Sequence, residues 1–564
     1  MKEVQIPLSK KRTLIPILLL SAALLSLSFD PFNFSFLAYI CIAPLYALTY
    51  RRFNKSTFWL GTAWGLSHFY FSFIWLSAVK PLAYLNPLMM ALIWTTLPGF
   101  WIYFLRKLQR YLILKDPKQA IMDKETKDFI PDNKQAIILL VAGSFLWLFL
   151  EWLRFWLFTG FPWNTLGNSQ AYIKPLVSLA SSLGVLGVSF PVILTNLFIG
   201  LLLERLILSR KSNLKLKFPK LLSLAFLILF VTPFIFNHIV KVENKVDHKL
   251  KVGLVQGHFI PDLFKRLSYE EIAFQIKTYN ELSRELIKEN KIDFLLWPET
   301  AIAVSYTNFR PYQDTVNKLS QDIKIPFMIG TSFHQREKNE VESYNSALMF
   351  KNGQITNAYA KIHIVPYGEY TPLKGYMPDS WHKKINEFSG MGPGLTRGKN
   401  YTIFDINEKV RFGVNICFED VFPDHSIIYA RRYANLLVTL TNDAWFLETA
   451  GGAQHTAHSI FRAVETGLPL LRSGNHSESS VILPDGTIKE LLVNPENGSR
   501  FYRGSAVYEL PITLNPQQTF YVRYPDFFII IIGFITALTF LVLLVSYFQK
   551  KLLFKQLVSD LKEK

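Results

Sequence analysis

Phe294-Leu-Leu-Trp-Pro-Glu-Thr300 is a short apolar run closed by a carboxylate. Two further runs close in the same way. Ala358-Tyr-Ala360 leads into Lys361, and Val414-Asn-Ile416 leads into Cys417. Runs this short and this apolar predict buried strands rather than helices. Lys251–Gln256, Ile292–Trp297, Ile325–Gly330, Ser346–Lys351, Arg411–Cys417 and Asn435–Thr441 repeat the pattern. Between the first two, Tyr269–Lys291 has helical periodicity and many Glu and Lys. Alternation of this kind predicts a sheet covered by helices over segment 241–525. Lys351-Asn-Gly-Gln354 and Pro484-Asp-Gly-Thr487 predict hairpin turns, because Asn-Gly and Asp-Gly tolerate positive φ.

The three polar residues at strand ends have complementary chemistry. α/β sites form where strand ends converge on one sheet edge. A thiol is a good nucleophile but is mostly protonated at neutral pH. Glu299 can take the Cys417 proton, and partial burial beside Trp297-Pro298 would raise the Glu299 pKa toward that task. Lys361 can hold the oxyanion of a tetrahedral intermediate. Periodicity alone does not separate these three from other charged residues, since a lone Cys after a strand is commonly inert core.

The rest of the chain belongs to lipid. Of 564 residues, 50% are hydrophobic and only 18% charged, below the share of a soluble chain. Apolar runs at 13–29, 33–50, 57–79, 87–105, 136–158, 183–206, 219–239 and 527–548 predict about eight membrane spans, the first two short enough to form a hairpin. The first run is read as part of the bundle rather than a cleaved signal, since no small-residue cleavage site follows it and further spans come at once. Lys and Arg crowd Lys2–Arg12, Arg51–Lys55, Arg106–Lys134, Arg210–Lys220 and Lys550–Lys564, whereas the alternate loops carry only Lys80 and Lys174. The positive-inside rule then leaves 241–525 outside. That segment holds 32 Lys+Arg and 31 Asp+Glu, so the chain's net +18 sits almost wholly in the membrane part. Nucleic acid is therefore not an expected partner. Two cysteines, Cys41 and Cys417, exclude a disulfide scaffold. The predicted organisation is 1–240, a membrane domain; 241–525, a catalytic domain; and 526–564, a last span and inner tail.

Trp297-Pro-Glu-Thr300, Lys361 within Tyr359–Glu369, and Cys417 within Asn415-Ile-Cys-Phe-Glu-Asp420 resemble the Glu-Lys-Cys motifs of the nitrilase (carbon–nitrogen hydrolase) superfamily. With its membrane part, the chain resembles the bacterial apolipoprotein N-acyltransferase family along nearly its full length. Thr159–Gln170, Val365–Pro372, Thr441–Phe446, Gln454-His455, Arg462–Glu465 and Pro469–Ser473 match further blocks. The resemblance implies an α-helical membrane bundle fused to an α/β nitrilase-like αββα sandwich, with no cofactor and no metal.

It implies that Cys417 attacks a phospholipid acyl donor to form a thioester, with Glu299 as base. Lys361 and the backbone N–H after Cys417 would hold the oxyanion. The acceptor would be the α-amine of a diacylglyceryl lipoprotein, in a bacterial inner membrane, with catalysis on the periplasmic side. Glu369 and Glu419 fall at supporting carboxylates, and Trp163 and Phe418 at substrate contacts; Phe418 stands where some members have Tyr. A membrane-bound amidase with the same three residues, using water as acceptor, is the alternative.

Loop 375–396 is aromatic, and Trp381, Phe388 and Met391 are expected to form a lid that touches membrane lipids. His455 and His458 lie three apart, but no acid–His motif of zinc-hydrolase type accompanies them. Asp30, Glu151 and Arg154 border or enter apolar runs, where ionisable residues mark function or pair with each other.

Overall fold

The computed structural model describes residues 8–50, 55–80, 82–115, 121–122, 129–212, 219–260, 267–337, 340–372, 376–389 and 394–562. The sandwich strands are β1 His248–Gln256, β2 Phe294–Leu296, β3 Phe327–Glu337, β4 Glu340–Lys351, β5 Gln354–Ala360, β6 Ile403–Asp405, β7 Arg411–Ile416, β8 Leu436–Asn442, β9 Leu470–Asn475, β10 Ser480–Ile482, β11 Ile488–Leu491 and β12 Gly504–Ile512. They form two six-stranded sheets, ordered β12-β1-β2-β3-β4-β5 and β11-β10-β9-β8-β7-β6. The central pairs β1–β2, β2–β3, β7–β8 and β8–β9 are parallel, and the flanking pairs antiparallel. Both expected hairpin turns form, with positive φ at Asn352, Gly353 and Gly486.

The sheets pack face to face. Leu250, Leu254, Phe294 and Met328 of one meet Phe412, Val414, Leu436 and Leu440 of the other, all buried. The outer face of the first sheet is covered by helices Tyr269–Glu289 and Arg310–Ile323, which set Ile272, Ile276, Tyr279, Val316 and Leu319 on Leu295, Trp297, Phe327 and Ile329. Ser268 starts the first of these helices. Its hydroxyl accepts from Glu271 N–H while the Glu271 carboxylate accepts from Ser268 N–H.

The second sheet is covered differently. Helices Pro423–Arg431 and Ala450–Thr466 lie on its outer face. Tyr429, Ile460, Phe461 and Val464 join Leu437, Leu470 and Ile482 in one apolar cluster. That cluster continues into Val185, Leu186 and Phe190 of the apolar helix Ala180–Ser212. One helical layer therefore serves both the sandwich and the bundle, and every residue from Gln454 to Thr466 is buried.

The expected count of about eight spans is not confirmed. Among the described residues, five helices are long and apolar enough to cross a membrane: Leu85–Lys115, Asn133–Leu153, Ala180–Arg210, Lys220–Val240 and Phe527–Gln549. The first two apolar runs give shorter helices, Leu14–Ser26 and Ser35–Leu48. The run at 57–79 is divided between helix Lys55–Ser72 and a 3-10 turn at Ile74–Ala78. Lys55, His68 and several Ser and Thr lower the hydropathy of this helix, and its glycines pack closely. A Cβ at Gly61 would lie 2.7 Å from Gly99 Cα, and one at Gly65 2.5 Å from Thr95 O. These glycines allow close backbone packing.

Candidate active site

The three strand-end residues come from different strands and meet at one place. Glu299 follows β2 in a tight loop. The loop lies against Gly330 of β3, where a Cβ would fall 2.5 Å from Glu299 Cα. The Glu299 carboxylate accepts from Asn345 Nδ2 at 2.7 Å and from Asn442 N–H at 2.7 Å. Lys361, the first residue after β5, places Nζ 2.8 Å from Glu369 Oε1 and 3.7 Å from Glu299 Oε1. Glu369 is held in turn by Val365 N–H at 2.8 Å and Asn345 Nδ2 at 3.2 Å. Glu299 and Lys361 are 5% and 1% exposed, whereas Cys417 is only partly buried.

Cys417 opens a 3-10 turn, Cys417–Val421, directly after β7, and its φ is +51°. Left-handed backbone at a non-glycine residue costs energy and persists only where neighbours over-determine it. Glu419 supplies part of that constraint. Its carboxylate accepts from Ile416 N–H at 2.7 Å, Ile362 N–H at 2.6 Å, His363 N–H at 3.0 Å and Tyr359 Oη–H at 2.8 Å. One carboxylate thereby staples the Cys417 turn to the segment that carries Lys361.

The protonation states follow from the surroundings. Burial pushes the Glu299 carboxyl up, with Lys361 opposing. Burial and then the Glu299 charge push the Cys417 thiol well above its ordinary range. Burial also opposes the Lys361 charge, but Glu369, Cys417 and Glu299 outweigh it and hold the ammonium protonated. The resting set is a thiol, a nearby carboxylate and a fixed cation. Such a thiol needs a base at the moment of attack.

The other expected contacts divide. Trp163 is 2% exposed. It lies behind the Cys417 turn in an aromatic cluster with Phe161, Trp75 and Phe446, and its Nε1–H donates to Gln454 Oε1 at 2.9 Å. Phe418 stacks on Phe161 and is also buried. Trp381 is 65% exposed on a helix, Asp379–Ser389. The expected lid loop is therefore in part helical. Met391 and the Phe388 side chain lie outside the described residues. Glu151 accepts from Trp147 Nε1–H and Leu166 N–H, and Arg154 donates to the carbonyls of Phe161 and Trp163.

A second charged cluster carried no role in the sequence reading. Asp420, Asp443, His455 and Arg472 are all buried. Arg472 pairs with Asp420 at 3.0 Å and with Asp443 at 2.8 Å. His455 Nδ1 lies 2.8 Å from Asp443 Oδ1, and Nε2 lies 2.8 Å from Asp420 Oδ1. Burial would raise both aspartates, but His455 and Arg472 hold them below the usual carboxylate range. The Cys417 sulfur, an Asp443 oxygen and a His455 nitrogen lie within 4.8 Å of one another. With both ring nitrogens already engaged, the imidazole has no lone pair to offer an ion. Each member lies in a motif block, but nothing local joins them, because they are up to 52 residues apart and β8 and β9 must pair before they meet.

Comparison with known proteins covers both parts of the chain. Residues 21–198 match the apolipoprotein N-acyltransferase N-terminal domain, and residues 251–506 match the carbon–nitrogen hydrolase family. An apolipoprotein N-acyltransferase of Geobacter metallireducens is 29% identical over 511 residues, covering 90% of this chain and 91% of that one. One of Rickettsia typhi is 28% identical over 522 residues, covering 90% and 94%. One of Nitrosomonas europaea is 33% identical over 353 residues, covering 62% and 65%.

Proposed function

This chain belongs to the apolipoprotein N-acyltransferase family of the nitrilase superfamily, and we propose that it moves a fatty acyl chain from a phospholipid to the N-terminal α-amine of a diacylglyceryl-cysteine on a lipoprotein. The observation that carries the mechanism is the meeting of Glu299 and Lys361, buried 3.7 Å apart, beside a partly exposed Cys417.

The steps are these. Glu299 takes the Cys417 proton as sulfur attacks the ester carbonyl. The oxyanion is held by Lys361 Nζ and by the Phe418 N–H, at the start of a helical turn where N–H groups lack intrahelical acceptors. Collapse breaks the C–O bond, and Glu299 returns its proton to the departing lysophospholipid oxygen. The lipoprotein amine then attacks the thioester, Glu299 accepts the amine's proton, and the C–S bond breaks. The proton passes back to the Cys417 sulfur, which restores the enzyme. Glu369 orients the Lys361 ammonium, and Glu419 holds the turn.

We place this chemistry on the periplasmic side of a bacterial inner membrane, with 1–240 and 526–564 as the membrane parts and 241–525 as the catalytic domain. Both substrates are lipid-anchored, so a catalytic domain seated on the bundle meets them at the bilayer surface. Trp381 is exposed enough to touch lipid there. The test incubates the purified full chain with phospholipid and a diacylglyceryl peptide. Mass spectrometry should show amide formation and an acyl adduct on Cys417. In Cys417→Ala the adduct should be absent and amide formation should fall by about 10⁴-fold or more, the scale on which losing a nucleophile acts. Release of free fatty acid without amide would instead assign water as the acceptor.

A further inference from the structure

His455 stands beside Cys417 and has no part in the mechanism above. Its Nε2 lies 3.2 Å from the carbonyl oxygen of Cys417 with hydrogen-bond geometry. The ring stacks beside Trp163 at 5.5 Å. Groups of four elements face it: Asp420 and the Cys417 thiol from the nucleophile turn, Asp443 from the turn after β8, Arg472 from β9, and His458 from its own helix. Its own residue types, with Cys417 and Asp443, are those of a Cys-His-acid relay. The geometry denies that role, because Nε2 is turned to the Cys417 carbonyl and Asp420 rather than left open as a base.

We propose that His455 is a positioning residue that works as a cation: its imidazolium clamps the Cys417 carbonyl and so sets the Cys417–Phe418 peptide that presents the oxyanion N–H. This rests on the reading that Cys417 is the nucleophile. The physical argument has three parts. The peptide is planar, so fixing its carbonyl fixes the opposed N–H of Phe418. A cation on the carbonyl polarises the peptide and strengthens its N–H as a donor. The contact also helps to hold the left-handed Cys417 backbone, which would otherwise relax. The carboxylates balance the charge. Burial alone would keep the ring neutral, but Asp420 and Asp443 overcome it and raise the His455 pKa to about 9. The ring is then a cation at neutral pH and loses its proton only in alkali.

The experiment is the pH profile of acyl transfer in the full chain, from pH 6 to 10, for wild type, His455→Gln and Asp443→Asn. Wild-type kcat should fall reversibly on the alkaline side with an apparent pKa near 9. His455→Gln should lower kcat roughly tenfold to a hundredfold, less than outright loss of an oxyanion donor, with KM for the phospholipid unchanged. Its alkaline limb should be absent. Asp443→Asn should move the limb to lower pH, because the cation loses one of its two carboxylates. A His455→Gln profile with the wild-type alkaline limb would overturn the proposal while leaving Cys417 as the nucleophile. A limb that falls toward acid, lost in His455→Gln, would make His455 a base and also overturn it. Full amide formation by Cys417→Ala would instead sink the underlying reading. Should His455→Gln fail to fold, ¹⁵N-imidazole NMR of the wild type decides. Among the 11 histidines, one imidazolium signal should persist above pH 8, and its absence would refute the clamp.

Discussion

Each sheet of the sandwich is covered by two helices, and the longer helix of each pair differs in what lies beyond it. Tyr269–Glu289 packs Ile272, Ile276, Tyr279 and Leu286 on the first sheet and turns Glu270, Lys277 and Glu281 to water. Ala450–Thr466 packs on the second sheet and against the membrane bundle at once, so it has no water face from Gln454 onward. Its polar residues must then find partners inside the protein. Gln454 accepts from Trp163 and Asn164 and donates to the Asp30 carbonyl. Arg462 donates to the Asp420 and Val421 carbonyls and pairs with Glu465, whose carboxylate accepts from Val185 N–H. One edge of this helix grips the bundle and the next grips the nucleophile turn. A helix sandwiched between two cores becomes a strut, and through it the membrane part has a hold on the turn that carries Cys417.

The sharpest way to break this comparison is Arg472→Met. It removes the counter-charge of two buried aspartates beneath the strut and should cost about 3–5 kcal/mol, read as a fall in unfolding temperature of the solubilised chain. A loss under about 1 kcal/mol would mean that the cluster is hydrated or redundant. The next effect is a dependence on pH. A histidine whose pKa is raised on folding adds stability that is whole below its unfolded pKa of about 6.5. That stability is lost as pH rises through the folded value of about 9. Thermal unfolding temperature should therefore drop between about pH 6.5 and 9.5 in wild type and stay flatter in His455→Gln. The smallest effect belongs to the other helix. Lys277 is exposed and pairs loosely with Glu281 at 3.8 Å, so Lys277→Ala should shift stability by no more than about 0.5 kcal/mol. A larger cost there would erase the contrast between the two layers.

The same contrast explains how much could be read in advance. Tyr269–Glu289 is legible because a helix with one wet face writes its period into the sequence. Glu299, Lys361 and Cys417 are legible because each follows its own strand run and sits in a local motif. Ala450–Thr466 carries a comparable helical period, but its polar face misleads. His, Ser, Arg and Glu alternate along a face that reads as solvent and is buried. The run at 57–79 misleads in the opposite sense, since Gly61 and Gly65 make its packing tight while His68 and several Ser and Thr weaken its hydropathy.

Local composition determined the apolar runs, the division of charge between membrane part and sandwich, the strand ends and the residues that close them. These depend on a residue and its near neighbours, so they survive without a fold. Only the tertiary structure decided that Glu299 lies 3.7 Å from Lys361, that Asn345 bridges Glu299 and Glu369, and that His455 stands behind the Cys417 peptide between two aspartates. Those meetings depend on sheet register and on two cores sharing one helical layer. Register and layering join residues far apart in the chain, and no property of either residue alone encodes them.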